Sequence, residues 1–141
     1  MSLVWREQLS VANDIIDTDH KRLIDILNQV ERSLNSKNRK DLYLSLYSLS
    51  EYSVKHFAME EKIARAAGYP EASRLSESHE LLVKQLDQVK LEIEKMGAEW
   101  SAVAAEQFSG LLRNWLIDHV IKEDLLLKPF LKKLPASFSP A

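Results

Sequence analysis

The chain of 141 residues contains no cysteine. That excludes disulfides, thiolate-held metals, iron–sulfur clusters and cysteine nucleophiles. Any bound metal must be held by nitrogen and oxygen. Glycine (Gly68, Gly97, Gly110) and proline (Pro70, Pro129, Pro135, Pro140) are scarce, so few breakers interrupt long helices. No apolar run approaches the roughly 20 residues that cross a bilayer. Neither sign of charge dominates: the formal net charge is −2, and acids and bases are spread along the chain. No electrostatic platform for nucleic acid results, and neither nucleic acid nor membrane is an expected partner. The first residues, Met1 to Arg6, lack the basic-then-apolar layout of a signal peptide. A cytoplasmic location is the expectation.

What is present is a helical pattern. The length and a hydrophobic fraction of 45% are enough for one domain with its own core. Residues 1–17 read as an N-terminal arm, with Trp5, Leu9 and Val11 available to pack. A first helix is expected from about Thr18 to Leu34, with an apolar stripe of Leu23, Ile24, Leu27, Val30 and Leu34 that also carries His20. A second, from about Lys40 to Ala67, repeats Leu42, Leu46, Leu49, Ser53, His56, Glu60 and Ile63 at steps of three and four, which is one inward seam. Gly68-Tyr69-Pro70 breaks the chain. The third helix, about Glu71 to Met96, has the seam Ala72, Leu75, His79, Leu82, Leu86, Val89, Ile93 and Met96. The fourth, about Ser101 to His119, turns Ala104, Phe108, Leu111, Trp115 and His119 inward. A short final helix is expected from Asp124 to Leu134, kinked near Pro129. Residues 135–141 read as a loose tail or linker stump. The expected fold is therefore all-α: an antiparallel up-down-up-down four-helix bundle over residues 1–134, with an N-terminal arm and a short C-terminal helix.

The seams contain groups that do not belong in an apolar core. His20, His56, Glu60, His79 and His119 fall on predicted inward positions, and they include all four histidines of the chain. Burying an unpaired charge is strongly unfavourable, so such groups need partners or a metal. His56 and Glu60 stack at i, i+4. His119 and Asp124 are a turn and a bit apart, and a kink or loosened turn would let both converge. Imidazole with carboxylate suits iron, manganese or zinc. One such histidine alone is most simply a hydrogen-bonded core residue. Asp124 alone is most simply an acid at a helix start, and Phe57, Phe108, Trp115 and Tyr52 are most simply packing. Glu60 is followed by Glu61, and one of the two is expected to be solvated. Coincidence of the histidines on four helices outweighs these readings.

Taken in order, the motifs resemble bacterial haemerythrin over nearly the whole chain. Trp5 with Leu9-Ser10-Val11 resembles its N-terminal arm. Asp17-Thr18-Asp19-His20-Lys21-Arg22-Leu23 resembles Asp-x-x-His-Lys-x-Leu. His56-Phe57-Ala58-Met59-Glu60-Glu61 resembles His-Phe-x-x-Glu-Glu, and His119 to Asp124 fits His-x-x-x-x-Asp. The resemblance implies two non-haem iron ions (Fe2+/Fe3+) joined by an oxo or hydroxo bridge and two carboxylates. By position, Glu60 and Asp124 would be the bridges. His20 and His56 would hold the iron whose open position takes O2. His79 and His119 would hold the second iron.

That second iron takes a third histidine in the family, from a His-x-x-x-His pair. Here the first member of the pair is Leu75. An ordinary carrier needs the second iron saturated, so the leucine shifts the expectation from O2 storage toward sensing of O2, nitric oxide or redox state, with a fused or associated signalling output. Two other readings stay open. One is a di-iron peroxidase or oxidase using the extra open position, although the Glu-x-x-His pairs of ferritin-type proteins are missing. The other is a module that binds one metal or none.

Overall fold

The computed structural model describes residues 3–97 and 99–140. Four helices pack around one core: α1 (Asp14–Ser36), α2 (Arg39–Ala66), α3 (Ala72–Lys95) and α4 (Ala102–Asn114). Each lies against its neighbours, α1 on α2 and α4, and α3 on α2 and α4. Short connections fold consecutive helices back on one another, giving the expected four-helix bundle, and no strand occurs among the described residues.

Local chemistry sets the helix ends. Asn13 caps α1 by accepting from the amides of Ile15 and Ile16, so α1 starts four residues earlier than periodicity predicts. The arm turns into it through Ala12, whose φ is +65°. Asp17 braces that turn by accepting from the Ser10 hydroxyl and the Val11 amide. Lys37 closes α1 in the left-handed conformation, and its amide returns to Ser33 and Leu34. Asn38 then caps α2 through the amide of Asp41. The connection between α3 and α4 is anchored by Trp100, whose indole N–H donates to the Leu34 carbonyl at 2.8 Å.

The stripes of α1 and α2 are buried as expected. On α3, Leu75, His79, Leu82, Leu86 and Ile93 are buried, while Ala72, Val89 and Met96 are only partly so. The seam of α4 differs from expectation. Ala105, Ser109 and Leu112 face in, and Leu111 is half exposed.

After Asn114 the helix does not stop. It continues as a π-helical stretch, Trp115–Ile121, then Lys122–Asp124 in α geometry, a 3-10 turn over Leu125–Leu127 and a last α turn over Lys128–Leu131. Pro129 stands in the first turn of that last piece, where its missing N–H is harmless. It starts the turn and does not kink a longer helix, which ends at Leu131 and not Leu134. Residues 135–140, expected to be loose, are seated. Phe138 packs on a smaller buried cluster that includes Val11, Ile16, Ile63, Leu75 and Leu131, its carbonyl accepts from the Asn13 side chain, and the Asp14 amide donates to the Ala136 carbonyl.

Asn13 thus both caps α1 and fastens the tail. Asn13→Ala is expected to lower stability by about 1 kcal/mol or somewhat more and to expose residues 135–140 to protease. Urea unfolding and limited proteolysis measure the two effects, and an unchanged midpoint would contradict the assigned role.

Candidate metal centre

Three segments of chain deliver four polar side chains to one point in the core. α1 contributes His20, α2 contributes His56 and Glu60, and the segment after the π-helical stretch contributes Asp124. One ligand atom from each lies within 4.8 Å of all the others. All four side chains are essentially inaccessible, none more than 1% exposed. His20 Nε2 is 2.7 Å from Asp124 Oδ2, and His56 Nε2 is 3.1 Å from Glu60 Oε2 and 3.4 Å from Asp124 Oδ2. The two imidazoles meet edge to face with centroids 4.8 Å apart.

His79 joins the cluster from α3. Its Nε2 lies 3.1 Å from Glu60 Oε1, and its ring stacks on Phe57 at 4.2 Å. Five of the six expected residues therefore meet. His119 does not. It is exposed, on the outer surface beside Asp118, Lys122, Glu123 and Leu126.

Backbone geometry accounts for the difference. In an α-helix, Trp115 and His119 would share a face. A π turn closes i→i+5 hydrogen bonds and holds one more residue. Trp115, Leu116, Val120 and Ile121 are the buried residues of this stretch, so Val120 takes the place periodicity gives to His119. The seam slips by one, and Asp124, one α turn beyond Val120, faces the core. The loosened turn expected between His119 and Asp124 is present, but it brings in the aspartate alone.

Two acids orient the imidazoles from outside, and the sequence reading did not single out either. Asp19 accepts from His56 Nδ1 at 3.0 Å and from the Tyr52 hydroxyl at 3.0 Å. Glu61 accepts from His79 Nδ1 at 2.9 Å and from the Ser76 hydroxyl at 2.7 Å. Each pairing fixes the tautomer so that Nε2 faces inward, as metal-ligating histidines require. Asp19 precedes His20 and Glu61 follows Glu60 in the chain, a position next to a ligand that by itself says nothing about orientation.

The ionisation of the cluster follows from its dryness. Burial alone would depress His56, but the charge of Glu60, with hydrogen bonds to Asp124, Asp19 and Glu60, holds it well above the ordinary imidazole value. His79 is raised against burial by its contacts with Glu60 and Glu61. Glu60 is raised by burial and then by the charge of Asp124. Asp124 is lowered, burial being outweighed by contacts with Glu60, His20 and His56.

Two buried carboxylates at one point, with imidazole nitrogens aimed at them, form a nitrogen–oxygen donor set that fits a divalent transition metal. Glu60 Oε2 receives no well-aligned hydrogen bond although it is fully buried, and His20 Nδ1 likewise has no partner. An orphaned carboxylate oxygen in a dry core is a group waiting for a cation. The profile of the Hemerythrin HHE cation binding domain matches residues 11–131. The chain belongs to the haemerythrin family. Proteins named bacteriohemerythrin resemble it along most of its length. That of Stenotrophomonas maltophilia is 29% identical over 122 residues, covering 86% of this chain and 76% of the relative. That of Pseudomonas aeruginosa is 26% identical over 122 residues with the same coverage. That of Methylococcus capsulatus is 28% identical over 115 residues, 82% of this chain and 85% of the relative. A haemerythrin domain implies iron, and the donor set of His20, His56, Glu60 and Asp124 is compatible with it.

In metal-free protein the imidazole–carboxylate pairs must hold the centre together. Because His56 and His79 are raised on folding, their contribution is fully present below the ordinary imidazole value of 6.5 and is lost as pH rises through the folded values. The metal-free domain is therefore expected to unfold at lower urea concentration as pH goes from about 6 to about 9. Denaturation curves of chelated protein across that range measure it, and a flat profile would contradict the charge assignment.

Proposed function

We propose that this chain is a non-haem iron domain that binds a diatomic ligand, O2 or nitric oxide, in the core of its bundle, and that it senses the ligand and does not store it. The observation that carries the iron reading is the buried His20–His56–Glu60–Asp124 cluster with its orphaned carboxylate oxygen. Iron held there supplies the redox-active, ligand-accepting ion. The chain supplies four ligands, the two acids that orient the imidazoles, and a dry surround that excludes competing water. A surface hollow lined by Asp19, Tyr52, Lys55, His56 and Met59 reaches the edge of this cluster. Haemerythrins are mainly O2-binding proteins and not enzymes, which favours binding over turnover.

Leu75 supports sensing over carriage. It is 4% exposed and packs with Val11, Ile16, Ile63, Ala64, Leu127 and Leu131. No imidazole enters from that position, so the part of the site that a reversible carrier keeps saturated is under-supplied. A signalling output, fused or associated, would complete the role.

Protein loaded with Fe2+ without air is expected to gain visible absorption on exposure to O2, and a distinct spectrum with nitric oxide. Silence with both gases would overturn the reading. Leu75→His is expected to slow autoxidation several-fold, as followed by the same absorption. An unchanged rate would remove Leu75 as the cause of the sensing behaviour.

A further inference from the structure

We infer that the chain binds one metal ion tightly, in the set His20, His56, Glu60 and Asp124, and that His79 is a positioning residue for Glu60 and not a ligand of a second ion. The inference rests on the reading of this cluster as an iron centre and deepens it by assigning its count.

The first argument is completeness. An ion bound tetrahedrally at the usual 2.0–2.2 Å keeps its donors about 3.4 Å apart. Four of the six separations here are 2.7 Å (His20–Asp124), 3.1 Å (His56–Glu60), 3.4 Å (His56–Asp124) and 4.0 Å (His20–Glu60), and the whole set lies within 4.8 Å. They bracket that spacing. The set therefore holds one ion with small side-chain adjustments and needs no further protein ligand, while iron, which takes more than four ligands, would keep room for a diatomic one.

The second argument is the poverty of the neighbouring position. Three residues stand where a second ion would look for nitrogen. Leu75 offers none and is locked into an apolar cluster. His119 is on the outer surface because the π-helical stretch gives its inward place to Val120. Only His79 remains, a single imidazole held at Nδ1 by Glu61 and set at Nε2 against Glu60 Oε1, and one imidazole with one carboxylate oxygen is too small a donor set to retain a second ion.

The third argument is what that engagement does. Glu60 Oε1 takes the His79 contact, while Oε2 is the oxygen left without a hydrogen bond and turned toward His56 and His20. His79, wedged on Phe57 and tethered by Glu61, thereby selects which oxygen of Glu60 faces the ion.

The test is metal stoichiometry. Metal-free protein is given excess Fe2+ without air, or redox-inert Zn2+, then desalted, and metal per chain and thermal midpoint are measured. One ion per chain is expected, with a raised midpoint. His119→Ala is expected to keep one ion at unchanged affinity. His79→Gln is expected to keep one ion at roughly 10–100-fold weaker affinity, the effect of losing an orienting partner. His20→Ala, or His20→Gln where alanine fails to give a helical protein, is expected to abolish retention. Two ions in the unchanged chain, or a lower count in His119→Ala, would overturn the single-ion assignment and leave the iron reading intact. No retained ion in the unchanged chain would overturn both.

Discussion

The centre depends on one extra residue in a helical turn. A carboxylate reaches the core from the last long helix only because the backbone over Trp115–Ile121 widens. Keeping α periodicity from Trp115 would carry the inward seam through His119 and on toward Lys122 and Leu126. Asp124 would then point away, and a lysine would approach two imidazoles and a glutamate in a dry space. With the slip, Val120, Ile121, Asp124, Leu127 and Leu131 face in. The rest of the bundle is arranged to tolerate that turn. Trp115, at its start, is buried and donates its indole N–H to the Leu82 carbonyl on α3, which pins the helix just before its register changes. π turns occur frequently at functional sites for this reason: they re-aim side chains without breaking the helix.

The second constraint is electrostatic. Glu60 and Asp124 are both buried, and two carboxylates so placed repel each other and miss water. Imidazoles reduce this penalty, but neutral imidazole does so weakly and protonated imidazole is itself disfavoured by burial. Asp19 and Glu61 stand behind His56 and His79 and keep negative charge on the far side of each ring. That arrangement favours electron-rich Nε2 atoms facing inward. A cation satisfies the cluster more completely than protons do, because it serves both carboxylates and both rings at once.

Much of this was readable from residue order. Leucines at steps of three and four on α1 and α2 announce buried stripes, and histidine or glutamate on the same stripes can only be inward. That logic located His20, His56, Glu60 and His79. It fails after Asn114 because periodicity assumes 3.6 residues per turn, and a single added residue rotates every later side chain by roughly 100° about the helix axis. His119 falls inside only on that assumption; Leu111 precedes the widened turn, and its exposure comes from the seam of α4 running through Ala105, Ser109 and Leu112. A loosened turn is expected to bring His119 and Asp124 inward together; the turn present buries Asp124 and leaves His119 outside. The early start of α1 was hidden because Asn13 acts through its cap, a contact that leaves no periodic trace. Asp19 and Glu61 escaped because adjacent acids on a helix look solvated, and only the positions of neighbouring helices show which imidazole each one meets.

Leu75 now has a physical account as well as a functional one. It lies where the arm, α2, α3 and the final turns converge, among Val11, Ile16, Ile63, Leu127 and Leu131. Burying a leucine side chain there contributes about 1.5–3 kcal/mol. A histidine at that place would lose most of this and bury a polar ring among aliphatic groups unless a metal engaged it. The leucine therefore moves part of the bundle's stability from metal coordination to packing. A domain held in this way can keep its fold across changes of metal occupancy, ligand and redox state. The proposed sensing role draws on that property, since such a scaffold has to persist while the centre inside it changes.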